Sequence, residues 1–147
     1  MKCAFCNHKE TKVTDKRDGE DTTRRRRQCL SCSKRFTTYE RPEVNVIVMK
    51  KDGRRERFDR QKLLSGLIKA CEKRPVSQET IEKTVSEIEV ELRSLGTEIQ
   101  SRMIGEIVMG KLKKLDKVAY IRFASVYRAF GDISAFEQEV NLLKGMN

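Results

Sequence analysis

No apolar run in this chain approaches the twenty or so residues that a membrane-spanning helix needs. The opening MKCAFCNHKE carries no signal-peptide core and no lipidation motif. Membrane and secreted classes are therefore not expected, and the chain reads as soluble and cytoplasmic. Without a secretory context, five cysteines, an odd number, do not suggest a disulfide framework. The single histidine, His8, belongs to no Glu-His constellation of the kind that activates water. There is no internal repeat and no low-complexity tract. One stretch, GEIVMGKL, imitates a phosphate-binding G-x-x-x-x-G-K loop, but Leu112 stands where that loop needs Ser or Thr, and the stretch lies inside a helix-period segment. With no Walker motif and no catalytic constellation, an enzyme is not expected.

What is present is positive charge and paired cysteines. The 147 residues carry a formal net charge of +10, which points to a polyanionic partner. Cys3 with Cys6 and Cys29 with Cys32 form two C-x2-C pairs separated by 22 residues. Two residues between cysteines allow a tight turn that aims both sulfurs at one metal, about 2.3 Å away. Asn7 and Ser31 are residues that suit such turns. Four thiolates close a tetrahedral shell, so the expectation is one structural Zn²⁺ per chain rather than a catalytic one. Residues 1–42 hold few large apolar side chains, chiefly Phe5, Val13, Leu30, Phe36 and Tyr39, so this segment needs the metal to fold.

Four consecutive arginines, Arg24, Arg25, Arg26 and Arg27, run into the second cysteine pair. The preceding DKRDGED contains four acids and reads as a mixed loop, which leaves the positive field on the arginine strand. Strand alternation places two arginines on each face. Arginine's planar fork suits phosphates and guanine edges, and this run is pinned by a metal instead of dangling in a tail. It reads as a nucleic-acid contact surface.

Pro42 marks a boundary between residues 1–42 and 43–147. VNVIVMK and RRERF, joined by KDG, predict a hairpin from about Val44 to Phe58. Asp59 is the expected N-cap of a helix with Leu63, Leu64, Leu67, Ile68 and Cys71 on one face, the cysteine serving as a small buried apolar residue. Ser77 caps a second helix with Ile81, Val85, Ile88, Leu92 and Leu95, and Gly96 stops it. A third carries Ile104, Val108, Leu112 and Leu115. The fourth, DKVAYIRFASVYRAF, is apolar on most sides, and the last, from Asp132, aligns Ile133, Phe136, Val140 and Leu143. The fold class is α+β: a small β ribbon, then a mainly helical domain capped by a β-hairpin. In VMKKDGRRERFDRQKL, Lys50, Lys51 and Lys62 could meet phosphates near a helix N-terminus, with Glu56 and Asp59 as acceptors, although charged hairpins are common in purely structural roles.

Together, RRRRQCLSCSKRFTTYE, VMKKDGRRERFDRQKL, EKRPVS and KKLDKVAYIRFASVYR resemble the bacterial NrdR family of ribonucleotide reductase repressors over essentially the whole chain. The resemblance implies a DNA-binding zinc ribbon over 1–42 and, over 43–147, an ATP-cone domain that binds ATP or dATP with Mg²⁺. It implies that Lys50, Lys51 and Lys62 contact phosphates and that Glu56 and Asp59 recognise adenine. Asp59 stands where many cones have Asn, and an acid cannot offer the amide donor. Ser101 matches a hydroxyl phosphate-contact position. The implied partners are double-stranded operator DNA, adenine nucleotides and further copies of the chain. An RNA-binding or translation-associated zinc ribbon is the alternative, which would explain the arginines and leave the cone idle.

Overall fold

A computed structural model describes residues 1–43 and 45–145, and the chain falls into two compact units, Met1–Glu43 and Val44–Asn147. Val44, where the expected hairpin begins, and the last two residues of the expected second domain lie outside the described residues.

The first unit is a three-stranded antiparallel sheet in the order β1 (Thr11–Asp18), β2 (Thr23–Cys29), β3 (Arg35–Glu40). The segment expected as a loop is corrected here: Asp15–Asp18 are the end of β1. Their charges mislead because both faces of so small a sheet are reached by water, so no apolar alternation is required of them. Phe36 packs edge-on to Phe5, with ring centroids 6.4 Å apart, while Tyr39 is 54 % exposed. The buried hydrophobic residues of this unit are two cysteines, Cys3 and Cys29.

The second unit begins with β4 (Ile47–Met49) and β5 (Arg55–Arg57), paired antiparallel through a turn in which Gly53 takes φ +84°. Then come α1 (Arg60–Ala70), α2 (Gln78–Leu95), β6 (Glu98–Gln100), α3 (Ser101–Leu115), α4 (Lys117–Tyr127) and α5 (Ile133–Lys144). The expected hairpin is thus part of a three-stranded sheet, order β5-β4-β6, with β6 parallel to β4 through Val48↔Ile99.

Except for α3, the helices start where side chains satisfy their free N–H groups: Asp59 accepts from Lys62, Ser77 from Thr80, Asp116 from Ala119 and Asp132 from Ala135. Their apolar faces form one core, in which Leu67, Val85, Ile88, Leu92 and Leu112 are fully buried. Cys71 packs into it, and burial pushes its thiol pKa up, as suits an inert core residue. Arg74 grips the α4 cap Asp116 at 2.9 Å, and Arg60 bridges Glu82 and Glu89 of α2. The last helix departs from its periodicity: Leu143 is buried, but Ile133 is 81 % exposed. Polar contacts add to the burial of Leu143 in holding α5. The buried Glu139 accepts from Tyr120 Oη and, at 2.7 Å, from Arg128 Nη1. No helix among the described residues is long and apolar enough to cross a membrane.

Candidate metal centre and ligand cavity

The four predicted metal-ligating cysteines converge. Each C-x2-C pair is followed by a residue in the left-handed region, Asn7 and Ser33, both at φ 58°. Ser31 lies in the turn of the second knuckle, as expected, and Ser33 follows it as the left-handed residue. Asn tolerates this conformation because its short polar side chain adds little steric penalty. The turns are locked by backbone bonds: the Asn7 amide donates to the Cys3 carbonyl at 3.0 Å, and the Cys29 amide donates to that of Lys34 at 3.0 Å. Cys3 Sγ lies 3.7 Å from Cys32 Sγ and Cys6 Sγ lies 3.6 Å from Cys29 Sγ, and all four sulfurs fall within 4.8 Å of one another. Four sulfurs at tetrahedral corners about 2.3 Å from a zinc ion would sit about 3.8 Å apart, so the set fits Zn²⁺.

Electrostatics point to a cation at the same centre. Burial opposes ionisation of Cys29, but the amides of Cys32 and Ser31 donate to its sulfur at 3.4 and 3.3 Å and hold its pKa down to about 6. At Cys6 the His8 amide works to lower the pKa, yet burial and the three neighbouring sulfurs push it up to about 11. A full set of thiolates is stable only around a dication. His8 is exposed and is not a member of the cluster.

Arg24, Arg25, Arg26 and Arg27 occupy the central strand β2, which runs into Cys29. Its pairing with both neighbours holds their backbones in extended form, two arginines to each face, as alternation predicts.

In the second unit a cavity of about 400 Å³ lies where the β4–β5 hairpin meets the first turns of α1 and α3 and the end of α4. Lys50 and Glu56 come from the hairpin, and Asp59 and Lys62 from the start of α1. Lys51 sits exposed in the β4–β5 turn and does not line the cavity. Glu56 is loosely paired with Lys50 at 3.7 Å. Asp59 Oδ1 accepts the Lys62 amide at 3.1 Å, which fixes its carboxylate at the mouth. Ser101 and Arg57 complete the polar rim. The α3 N-terminus at this rim has no side-chain cap, so its amides can meet an anion.

The apolar wall was not foreseen. Phe123 and Tyr127 stack at 5.8 Å and face Ile104 and Gly105. Tyr127 Oη donates to the Arg102 carbonyl at 2.7 Å, and the ring covers Gly105 so closely that a Cβ there would lie 2.0 Å from it. A glycine inside a helix and an aromatic pair four residues apart were the available signals, but nothing in the sequence links α3 to α4. The arrangement offers cations and amides for an anion, carboxylates for a donor group, and a flat apolar wall for a ring.

Comparisons with known proteins agree with both units. Residues 1–40 match a family model described as the transcriptional repressor NrdR-like N-terminal domain, and residues 46–133 match one described as the ATP cone domain. Among curated relatives, a transcriptional repressor NrdR of Pelotomaculum thermopropionicum is 58 % identical over 98 % of this chain and 90 % of its own length. Those of Finegoldia magna and Caldicellulosiruptor bescii are 56 % and 55 % identical over 97 % of this chain, and over 98 % and 96 % of their own lengths. The relatives are named as regulators and not as enzymes. With a four-cysteine zinc ribbon and an ATP cone in one chain, this protein belongs to the NrdR family of transcriptional repressors.

Proposed function

We propose that this chain is a nucleotide-responsive repressor of ribonucleotide reductase genes, acting in the cytoplasm. The ribbon grips double-stranded operator DNA with the sheet whose central strand β2 carries Arg24–Arg27, and Zn²⁺ keeps that strand rigid. ATP or dATP, with Mg²⁺, binds the cavity of the second unit and selects between homo-oligomers, only some of which space the ribbons to match paired operator sites. This is a population shift set by differential nucleotide affinity, and it needs no hydrolysis. High dATP, the sign of an adequate deoxynucleotide supply, favours repression.

The observation that carries the reading is the convergence of Lys50, Glu56, Asp59 and Lys62 on one cavity with an apolar wall. Lys50 and Lys62, with Lys51 from the adjacent turn, neutralise the phosphates. Glu56 and the Asp59 oxygen left over from capping accept the adenine amino group, while Phe123 and Tyr127 supply ring contact. Replacing Lys62 removes a phosphate partner without touching the ribbon.

The test is operator affinity measured with ATP, with dATP and with neither, alongside mass by light scattering. A coupling of ~1–3 kcal/mol appears as a ~5–150-fold difference in operator affinity between nucleotide states. Lys62→Ala is expected to weaken nucleotide binding, keep its zinc, and uncouple mass and operator affinity from nucleotide. Equal mass and affinity in all three states of the unaltered protein would overturn the reading.

A further inference from the structure

The arginine strand sits in a sheet whose two faces are chemically unlike. Directly opposed residues of an antiparallel sheet share a face, and neighbours along a strand alternate. The registers Arg17↔Arg24↔Tyr39, Asp15↔Arg26↔Thr37 and Lys12↔Gln28↔Arg35 therefore build one face. Lys16↔Arg25↔Thr38, Val13↔Arg27↔Phe36 and Asp18↔Thr23↔Glu40 build the other. Within the strands, the first face sets Lys12, Arg17, Arg24, Arg26 and Arg35 against the carboxylate of Asp15. The second sets Lys16, Arg25 and Arg27 against Asp18 and Glu40. A β-bulge between Val13 and Asp15 creates part of this division, because the extra residue Thr14 turns Arg17 onto the face of Arg24.

The second face is also engaged in the fold. Arg25 is ion-paired to Glu40 with its side chain 25 % exposed, Lys16 meets Asp18 at 2.9 Å, and Arg27 Nε donates to Thr38 Oγ1 at 3.0 Å. On the first face Arg26 is exposed, and Arg24 reaches Asp15 only at 3.8 Å, where Arg17 competes at 3.3 Å. Tyr39 stands across from Arg24, with Arg41 5.1 Å over its ring.

We propose that double-stranded DNA lies along the Arg24–Arg26–Tyr39 face of the ribbon, with Arg24 and Arg26 on successive phosphates, while Arg25 and Arg27 brace the sheet. This rests on the ribbon being the DNA-binding unit. Alternate strand residues stand about 6.8 Å apart, a step close to that between neighbouring phosphates of one DNA strand. Single-stranded nucleic acid is held by bases stacked on several aromatics, whereas this face offers the single ring of Tyr39, so a duplex backbone fits it better.

The experiment uses the full-length, zinc-loaded protein with nucleotide and a labelled operator duplex across a salt titration. R24A/R26A is expected to flatten the slope of log affinity against log salt by about two per ribbon, and R25A/R27A to leave it unchanged. Because loss of bracing can loosen the sheet, two added carboxylates provide a second test at exposed positions. T37E on the first face is expected to weaken binding roughly tenfold through like-charge repulsion with phosphate, and V13E on the second to leave it unchanged. Zinc content is measured for each variant. A slope change carried by R25A/R27A in zinc-loaded protein, or equal weakening by V13E and T37E, overturns the face assignment alone. A structured RNA duplex that competes as well as the operator overturns the choice of DNA. If the unaltered protein binds no duplex in any nucleotide state, the DNA-binding reading of the ribbon falls, and this assignment with it.

Discussion

The two units solve the same problem, holding basic side chains in place, by opposite physical means. In the ribbon the buried hydrophobic residues are two metal-ligating cysteines, and Val13, Leu30 and Tyr39 are about half exposed. In the second unit, seventeen buried residues from six of its elements and the segments beside them make one core. A unit without a core must concentrate its stability in one bonded centre, whereas a packed unit distributes it over many contacts. The first is rigid as long as its ion is bound.

The sharpest way to break the contrast is to remove one zinc ligand. Structural zinc supplies about 10–16 kcal/mol of apparent binding free energy in small ribbons, far more than the ribbon's packing can replace. Cys29→Ser is expected to lose the metal and all operator binding while nucleotide affinity stays unchanged, as metal analysis and calorimetric titration would report. Full operator binding by the zinc-free variant would show that the sheet stands without its ion.

A smaller effect is expected from the core. Ile88 is fully buried, and Ile88→Ala should cost about 2–5 kcal/mol through lost burial and an unfilled cavity. The thermal transition of the helical unit should fall while zinc content holds. A matching loss of zinc would mean that the two units do not fold independently.

The smallest effect separates the units by pH. Hydrogen bonds from Arg74 hold the Asp116 carboxyl below its usual range, against the opposing effect of burial. Its folded pKa is depressed, so the pair stabilises fully above the unfolded value of about 3.9 and is lost as pH falls through the lower folded value. Asp116→Asn keeps an oxygen for the α4 cap but removes the ion pair, and should cost about 1–2 kcal/mol at neutral pH. The gap in melting temperature from the unaltered protein should close only below pH ~4. Thiolates need their protons removed to hold zinc, so acid should release the metal before it weakens this pair. Melting and zinc release that coincide on acidification would contradict that order.

How far the sequence reached follows from which features are local. The knuckles are spelled out by spacing, and Asp59, Ser77, Asp116 and Asp132 announce helix starts because an N-cap acts within three residues. β6 was hidden, since Glu98–Gln100 has only Ile99 buried and its partner Val48 lies far away in the chain. The charged end of β1 was hidden because a sheet open to water on both faces imposes no hydrophobic pattern. Ile133 kept helical period yet stays exposed, since α5 is anchored through Glu139 and the period alone does not say which face docks. Four of the five residues assigned to the nucleotide meet at one cavity, but its aromatic wall depends on Tyr127 closing over Gly105, which only tertiary structure reveals.

The parallel pairing of β4 with β6 sets a timetable for synthesis. The cysteine pairs of the ribbon are complete once Cys32 has left the ribosome, and the turn that locks the second knuckle closes with Lys34. The β4–β5 hairpin emerges soon afterwards, but an isolated two-stranded hairpin is marginal in water. It gains its third strand only when Glu98–Gln100 arrives, across a connection long enough to contain two helices. Such non-local pairing forms late and slowly. A nascent chain therefore carries a finished, charged ribbon well before the second unit has closed its cavity.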